Sequence, residues 1–130
     1  MTQENKDLLL KDLCTRLNTN LVCFIYRVDD QGVGYRDEIL SGYCKGDIWN
    51  EFYFGDNCDI GIDNVSKIKP YLFPLESMTE EQKSILSLCN AFIEPRSIEL
   101  KLNFYNEQHI DYRGLIEKGL AIDATNLNIY

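Results

Sequence analysis

The chain is sparing with the residues that most often mark chemistry. It has one histidine, one tryptophan and three prolines in 130 residues. A histidine-built metal centre needs several such ligands or a cluster of cysteines. The five cysteines, Cys14, Cys23, Cys44, Cys58 and Cys89, contain no C-x-x-C pair, which excludes a zinc ribbon or a thioredoxin-type motif. They are also too few and too irregular for a small disulfide scaffold, so they read as reduced thiols acting as small apolar side chains. Neither G-x-x-x-x-G-K nor G-x-G-x-x-G occurs, and the glycine loops that cradle phosphates are thereby absent. No apolar run approaches the ~20 residues that span a bilayer, and Met1–Asp7 is polar, without the order of a signal peptide. A soluble, cytoplasmic protein with no membrane contact, no metal and no cofactor is expected. Bases are scarce too: 13 Lys and Arg stand against 21 Asp and Glu, a net charge of −8. A nonspecific nucleic-acid binder has the opposite balance.

What is present suffices for a core. Hydrophobic residues make up 45% and aromatic residues 12% of the chain, and a domain of this length buries roughly two-thirds of its unfolded surface. One domain over residues 1–130 is expected. Leu9, Leu10, Leu13, Cys14 and Leu17 recur at three- and four-residue spacing and predict a helix from about Glu4 to Asn18, with Lys6, Lys11, Asp12 and Arg16 on its other side. From Leu21 the pattern becomes that of strands: Leu21–Arg27, Val33–Tyr43 with a break at Ser41-Gly42, Ile48–Phe54, and short pieces at Cys58–Ile62 and Val65–Ile68. Turn-prone residues separate them, which suggests a meander curling into a barrel-like sheet.

Pro70 and Pro74 fit neither a helix interior nor a central strand, so Lys69–Leu75 reads as an extended crossover leaving the sheet. Thr79 with Gln82 forms a capping box. The helix it opens is expected to run to about Glu94, with Ile85, Leu88, Cys89 and Phe92 on one face and Pro95 as its stop. Residues 97–108 alternate like a strand and also fit a helix face. Asp111–Gly114 is a turn, and the apolar Leu120-Ala121-Ile122 packs down. The fold class is α+β: a small curled antiparallel sheet packed by an N-terminal helix and C-terminal helices.

Three constellations could carry function. Between Asp29 and Asp63 there are nine acids and two bases, so −7 of the net −8 lies in 35 residues. The loop Asp56–Gly61 fails as a calcium site, because Cys58, Ile60 and Lys67 fall at ligand positions three, five and twelve. The acids instead suggest a face for a basic partner. Strand alternation places Ile48, Phe52 and Phe54 inward and Trp49, Glu51 and Tyr53 outward. The expected partner face therefore comprises Asp29, Asp30, Asp37, Glu38, Trp49, Glu51, Tyr53, Asp56 and Asp59. Second, Lys69 beside Tyr71, and Tyr112 beside Arg113, could hold a flat ring carrying an anion. Third, His109 lies two residues from Asp111, but no nucleophile motif accompanies it, and no catalytic residue is assigned.

Leu8–Leu17, Ile68–Leu75 continuing through Ser77–Glu81, and Asp111–Ile116 continuing through Gly119–Ala121 together resemble a group of small uncharacterised proteins from gut Bacteroidales genomes, prophages and mobile elements. The resemblance covers somewhat under half the chain. It departs at Phe73, where relatives often carry arginine, and at Glu76, where they often carry serine. It implies a helix before the D-Y-R-G motif, and a phage or mobile-element setting. The expected function is then that of a non-enzymatic binding protein that counteracts host defence, either by blocking a host protein with a basic face or by sequestering a small nucleotide-like ligand. An assembly role, with the chain as a homo-oligomer, is the alternative, ahead of a small hydrolase using His109.

Overall fold

A computed structural model describes residues 1–29, 32–45, 50–55 and 58–130. The expectations placed on Asp30, Trp49 and Asp56 lie outside the described residues, and of Asp29 only the backbone is described. Helix α1 spans Gln3–Thr15, and the Thr2 hydroxyl caps it by accepting the Asn5 N–H at 3.1 Å. Four strands follow in sequence: β1 (Val22–Asp29), β2 (Gly32–Lys45), β3 (Asn50–Phe54) and β4 (Cys58–Gly61). A 3₁₀ turn over Ile62–Lys67 leads to β5 (Ile68–Pro74). Then come α2 (Glu80–Leu88), a 3₁₀ turn over Cys89–Ala91, α3 (Arg96–Glu107) and two short strands, β6 (Ile110–Asp111) and β7 (Ile122–Asp123).

The sheet order is β4-β3-β2-β1-β5-β6, with β7 also paired to β5. β1 through β4 form an antiparallel meander, β5 runs antiparallel to β1, and β6 and β7 join β5 in parallel. The architecture is α+β as expected. Among the described residues β4 and β6 remain separate edges, so the sheet is open rather than barrel-like. The expected break at Ser41-Gly42 is a bulge: the β2–β3 register shifts between Leu40 and Gly42. There β2 passes from β1, which it pairs over its first half, to β3, which it pairs over its second.

Several boundaries differ from the sequence reading. Helix α1 stops at Thr15, and Asn18 and Asn20 adopt left-handed φ of 67° and 57°, a conformation that asparagine tolerates well. Val65–Lys67 is 3₁₀ rather than strand. Lys69–Pro74 does not leave the sheet. Its prolines are accommodated because the partners of β5 change: Ile68–Pro70 pair with β1, and Tyr71–Pro74 pair with β7 and β6. No long ladder calls on an N–H at Pro70 or Pro74. Helix α2 ends at Leu88, and Pro95 occupies the N-cap of α3 rather than closing α2.

The core gathers Leu9 and Leu13 of α1 with Leu21, Cys23, Ile25, Leu40, Phe52, Phe54, Cys58, Ile60, Ile68 and Leu72 of the sheet region, closed by Leu115, Leu120 and Ala121. Burial with strand alternation fixes the faces: Phe52, Phe54, Cys58 and Ile60 point inward, and Glu51, Tyr53 and Asp59 outward. Two side chains, one near the end of α1 and one at its C-cap, lie on the side opposite to the expected one. Asp12 and Arg16 are fully buried, on the same face as Leu9 and Leu13.

Candidate functional site

The interior polar cluster begins on α1. Four-residue spacing stacks Asp12 under Arg16, and the carboxylate accepts from Arg16 Nε at 2.9 Å and Nη2 at 3.2 Å. Arg16 Nη2 also donates to the Ile110 carbonyl at 2.7 Å, which ties α1 to β6. Arg113 reaches the same carboxylate from the other side, with Nη1 at 3.0 Å from Asp12 Oδ1. Its guanidinium lies 4.6 Å from the Tyr112 ring centroid, and Tyr112 in turn stacks on Tyr105 at 5.3 Å. The second buried carboxylate, Asp111, accepts the Leu115 and Ile116 N–H groups at 2.8 and 2.9 Å. Two arginines and two aspartates thus balance in charge, and each is held by hydrogen bonds, as buried ions require.

This arrangement separates the two expected ligand-binding pairs. β5 and β6 bring their backbones together, with Phe73 opposite Ile110 and Pro74 opposite Asp111. Lys69, however, lies opposite Phe24 on the outer face of the sheet, between the buried Ile68 and Pro70. The Tyr71 hydroxyl donates to Asp37 at 2.7 Å, and burial together with that carboxylate pushes its pKa up to about 12. Arg113 turns the other way, toward α1. Lys69 with Tyr71 and Tyr112 with Arg113 therefore occupy different sides of the sheet.

His109 sits just past α3 with a left-handed φ of 58°. Its ring stacks almost parallel on Tyr130, with centroids 3.8 Å apart. Nδ1 is buried with no hydrogen-bond partner among the described residues. Burial, with the nearby Arg16 cation, pushes its pKa down to about 4. Tyr130 is pinned in turn, accepting the Val22 N–H at 3.0 Å and donating to the Tyr71 carbonyl at 2.8 Å. Asp111 spends its carboxylate on backbone amides, so it does not orient His109 as a catalytic pair would.

The acidic stretch builds an open cleft. A cleft of about 350 Å³ is lined by Asn50 and Glu51 of β3, Asp59 and Gly61 of β4, and Ile62, Asp63 and Asn64 of the turn that follows. Three of these residues are carboxylates and none is a base. Antiparallel pairing sets Glu51 opposite Gly61 and Tyr53 opposite Asp59, which puts the outward side chains on one surface. The Tyr53 hydroxyl donates to Glu51 at the edge of the cleft, and that bond is the main reason its pKa rises to about 12. A smaller cavity of about 160 Å³ shares Ile62 and Asp63 and continues toward Gln3, Lys6 and Asp7 of α1. Asp37 and Glu38 stand elsewhere, on the β2 segment that pairs with β1. Asp37 holds Tyr71, and Glu38 lies 3.9 Å from Arg36.

Asp12 and Arg16, expected on the outer side of the helix, fall on its inner face, and their i, i+4 spacing beside Leu9 and Leu13 is the signal that could have shown it. Asp63 lies beyond the strands whose alternation marks the outward residues, so only its charge signals it in the sequence. Among the described residues no group of three or more His, Cys, Asp or Glu could hold a metal ion, and no helix is long and apolar enough to cross a membrane. Compared with protein-family models, with curated proteins and with solved structures, the chain finds no match.

Proposed function

We propose that this chain is a non-enzymatic binding protein of a phage or mobile element. In this reading it blocks a host protein by receiving a basic segment of it in the acidic cleft between β3, β4 and the following turn. The observation that carries this reading is the cleft of about 350 Å³ lined by Glu51, Asp59 and Asp63, with no base among the described residues that line it. A lysine or arginine side chain entering it exchanges water for carboxylates, and the guanidinium fork suits paired acceptors. A nucleotide is the weaker candidate. Phosphates are repelled by the cleft, and the Arg113 guanidinium that would have bound one is held by Asp12. Counteraction of host defence is the role that the phage-like setting supplies.

The test is a pull-down from host lysate with the wild type and with a Glu51→Gln, Asp59→Asn, Asp63→Asn variant, followed by mass spectrometry of bound proteins and released small molecules. A protein with a basic segment, retained by the wild type and lost by the variant, is the expected result. Equal capture by both, or release of a nucleotide alone, rejects the reading.

A further inference from the structure

We infer that the α2–α3 hairpin is a self-association surface, on which a second copy of this chain seats its own hairpin to give a twofold dimer with a four-helix centre. The Gln82 side chain donates to that of Gln108 at 3.3 Å, which sets the start of α2 beside the end of α3. The two helices are therefore antiparallel arms, joined at a tip over residues 89–95. This hairpin leaves the sheet between β5 and β6, at the end of the strand order opposite β4 and the acidic cleft.

α2 has no buried side chain. It is nine residues long, below the ~12–15 at which isolated helices become even marginal in water. Yet α2, the tip and α3 leave Ile85, Leu88, Phe92, Ile93, Ile98 and Leu102 at the surface, with Leu88 68%, Phe92 54% and Ile93 87% exposed. Ile85 and Leu88 are three apart and Ile98 and Leu102 four apart, so each helix shows its pair on one face.

Area and charge together point to the occupant. Side chains of this size each bring on the order of 100–200 Å², so the six leave roughly 500 Å² of apolar surface open. A standard interface covers ~800 Å² per partner, of which ~57–65% is apolar, or about 450–520 Å². The hairpin thus exposes enough apolar area for the apolar share of one side of a stable dimer. Its charge is low and mixed: residues 79–108 hold five acids and three bases, a net −2, against −7 over Asp29–Asp63. Lys83 and Arg96 are neutralised locally by Glu80 at 3.3 Å and Glu99 at 3.4 Å. A strongly basic partner is drawn to the acidic end of the sheet. A second hairpin, equally apolar and equally mixed in sign, fits here, because a twofold interface pairs one patch with itself and two antiparallel hairpins close into a four-helix bundle.

The test is sedimentation equilibrium of the full chain from low micromolar to several hundred micromolar. The expected mass rises from the 15.1 kDa monomer to twice that value. Leu88→Glu with Ile93→Glu, which touches no buried side chain, is expected to weaken the dimer at least ~100-fold with an unchanged circular dichroism spectrum. Tyr35→Glu on the sheet is expected to leave it intact. In the wild type, exchange of α2 amides is expected to slow as concentration rises, a readout that needs no variant. A monomer throughout the range, a dimer that survives the double substitution, or α2 exchange independent of concentration overturns the inference.

Discussion

Asp12 is shared by two arginines. Its carboxylate accepts from both Arg16 and Arg113, and through Arg16 it links α1 to the carbonyl of Ile110. Removing one member of a buried ion pair leaves the other uncompensated, which typically costs ~3–5 kcal/mol. Asp12→Ala is accordingly expected to lose about that much in urea denaturation, and a loss below ~1 kcal/mol would show that the cluster is not buried as described. Arg113, at 15% side-chain exposure, keeps partial access to water. Arg113→Ala should therefore cost less than Asp12→Ala, and it should appear as lost stability rather than as lost ligand affinity.

His109 makes a second prediction at the same scale. Its pKa is lowered from 6.5 to about 4 by burial and by Arg16, with Tyr130 covering its ring. The unfolded chain then binds a proton in a pH window where the folded chain does not. The stability tied to this ring is complete above about pH 6.5 and falls as the pH drops toward 4. At ~1.4 kcal/mol per unit, the loss is bounded at about 3–4 kcal/mol. His109→Phe keeps a ring against Tyr130 and removes the titration, so its urea midpoint should vary less over that window than the wild type's. Parallel pH profiles for the two proteins would remove His109 as the cause.

At the scale of elements, α2 is the helix most dependent on its ends. Thr79 and Gln82 form the capping box that the sequence signalled, with bonds of 3.1 and 2.9 Å. Thr79→Ala is expected to cost ~1 kcal/mol, seen as faster amide exchange within α2 while β1 and β2 keep their protection. Uniform loss across the sheet would mean that the hairpin and the sheet unfold as one unit. β5 illustrates the reverse relation between signal and outcome. Its two prolines argued against a sheet position, and the strand nonetheless occupies one, because each stretch of it faces a different short partner. α3 was ambiguous for a related reason: Ile98, Leu100, Leu102 and Phe104 satisfy period two, while Ile98, Leu102 and Tyr105 satisfy the helical period.

At the scale of the whole molecule, the proposed function makes the charge distribution the feature that governs how a basic partner would arrive. With −7 concentrated between Asp29 and Asp63, capture of a basic protein should be electrostatically steered. Steering of this kind raises on-rates by ~10–10³ and fades as salt shortens the screening length, about 10 Å at 0.1 M. The association rate with the captured partner, measured by stopped flow, is expected to fall at least ~10-fold from low to high salt, and the Glu51→Gln, Asp59→Asn, Asp63→Asn variant should show a shallower slope. A flat response would return these carboxylates to ordinary solvation.

The sequence by itself determined what depends on neighbours along the chain. Alternation decided that Phe52 and Phe54 face inward and Glu51 and Tyr53 outward, local chemistry decided the α2 cap, and counting located the negative charge. The tertiary structure decided what depends on residues far apart. Asp12 and Arg16 looked like a solvated helix face until Arg113 and the Ile110 carbonyl, about a hundred residues later, came within hydrogen-bond reach and made their burial affordable. Whether Lys69 and Arg113 share a concavity depends on how their segments meet, and β5 points Lys69 to the outer face of the sheet while Arg113 turns to α1. Asp63 joined Glu51 and Asp59 because the turn after β4 folds beside β3. The physical reason is the same in each case: periodicity fixes which face of its own element a side chain occupies, and only packing fixes what lies opposite that face.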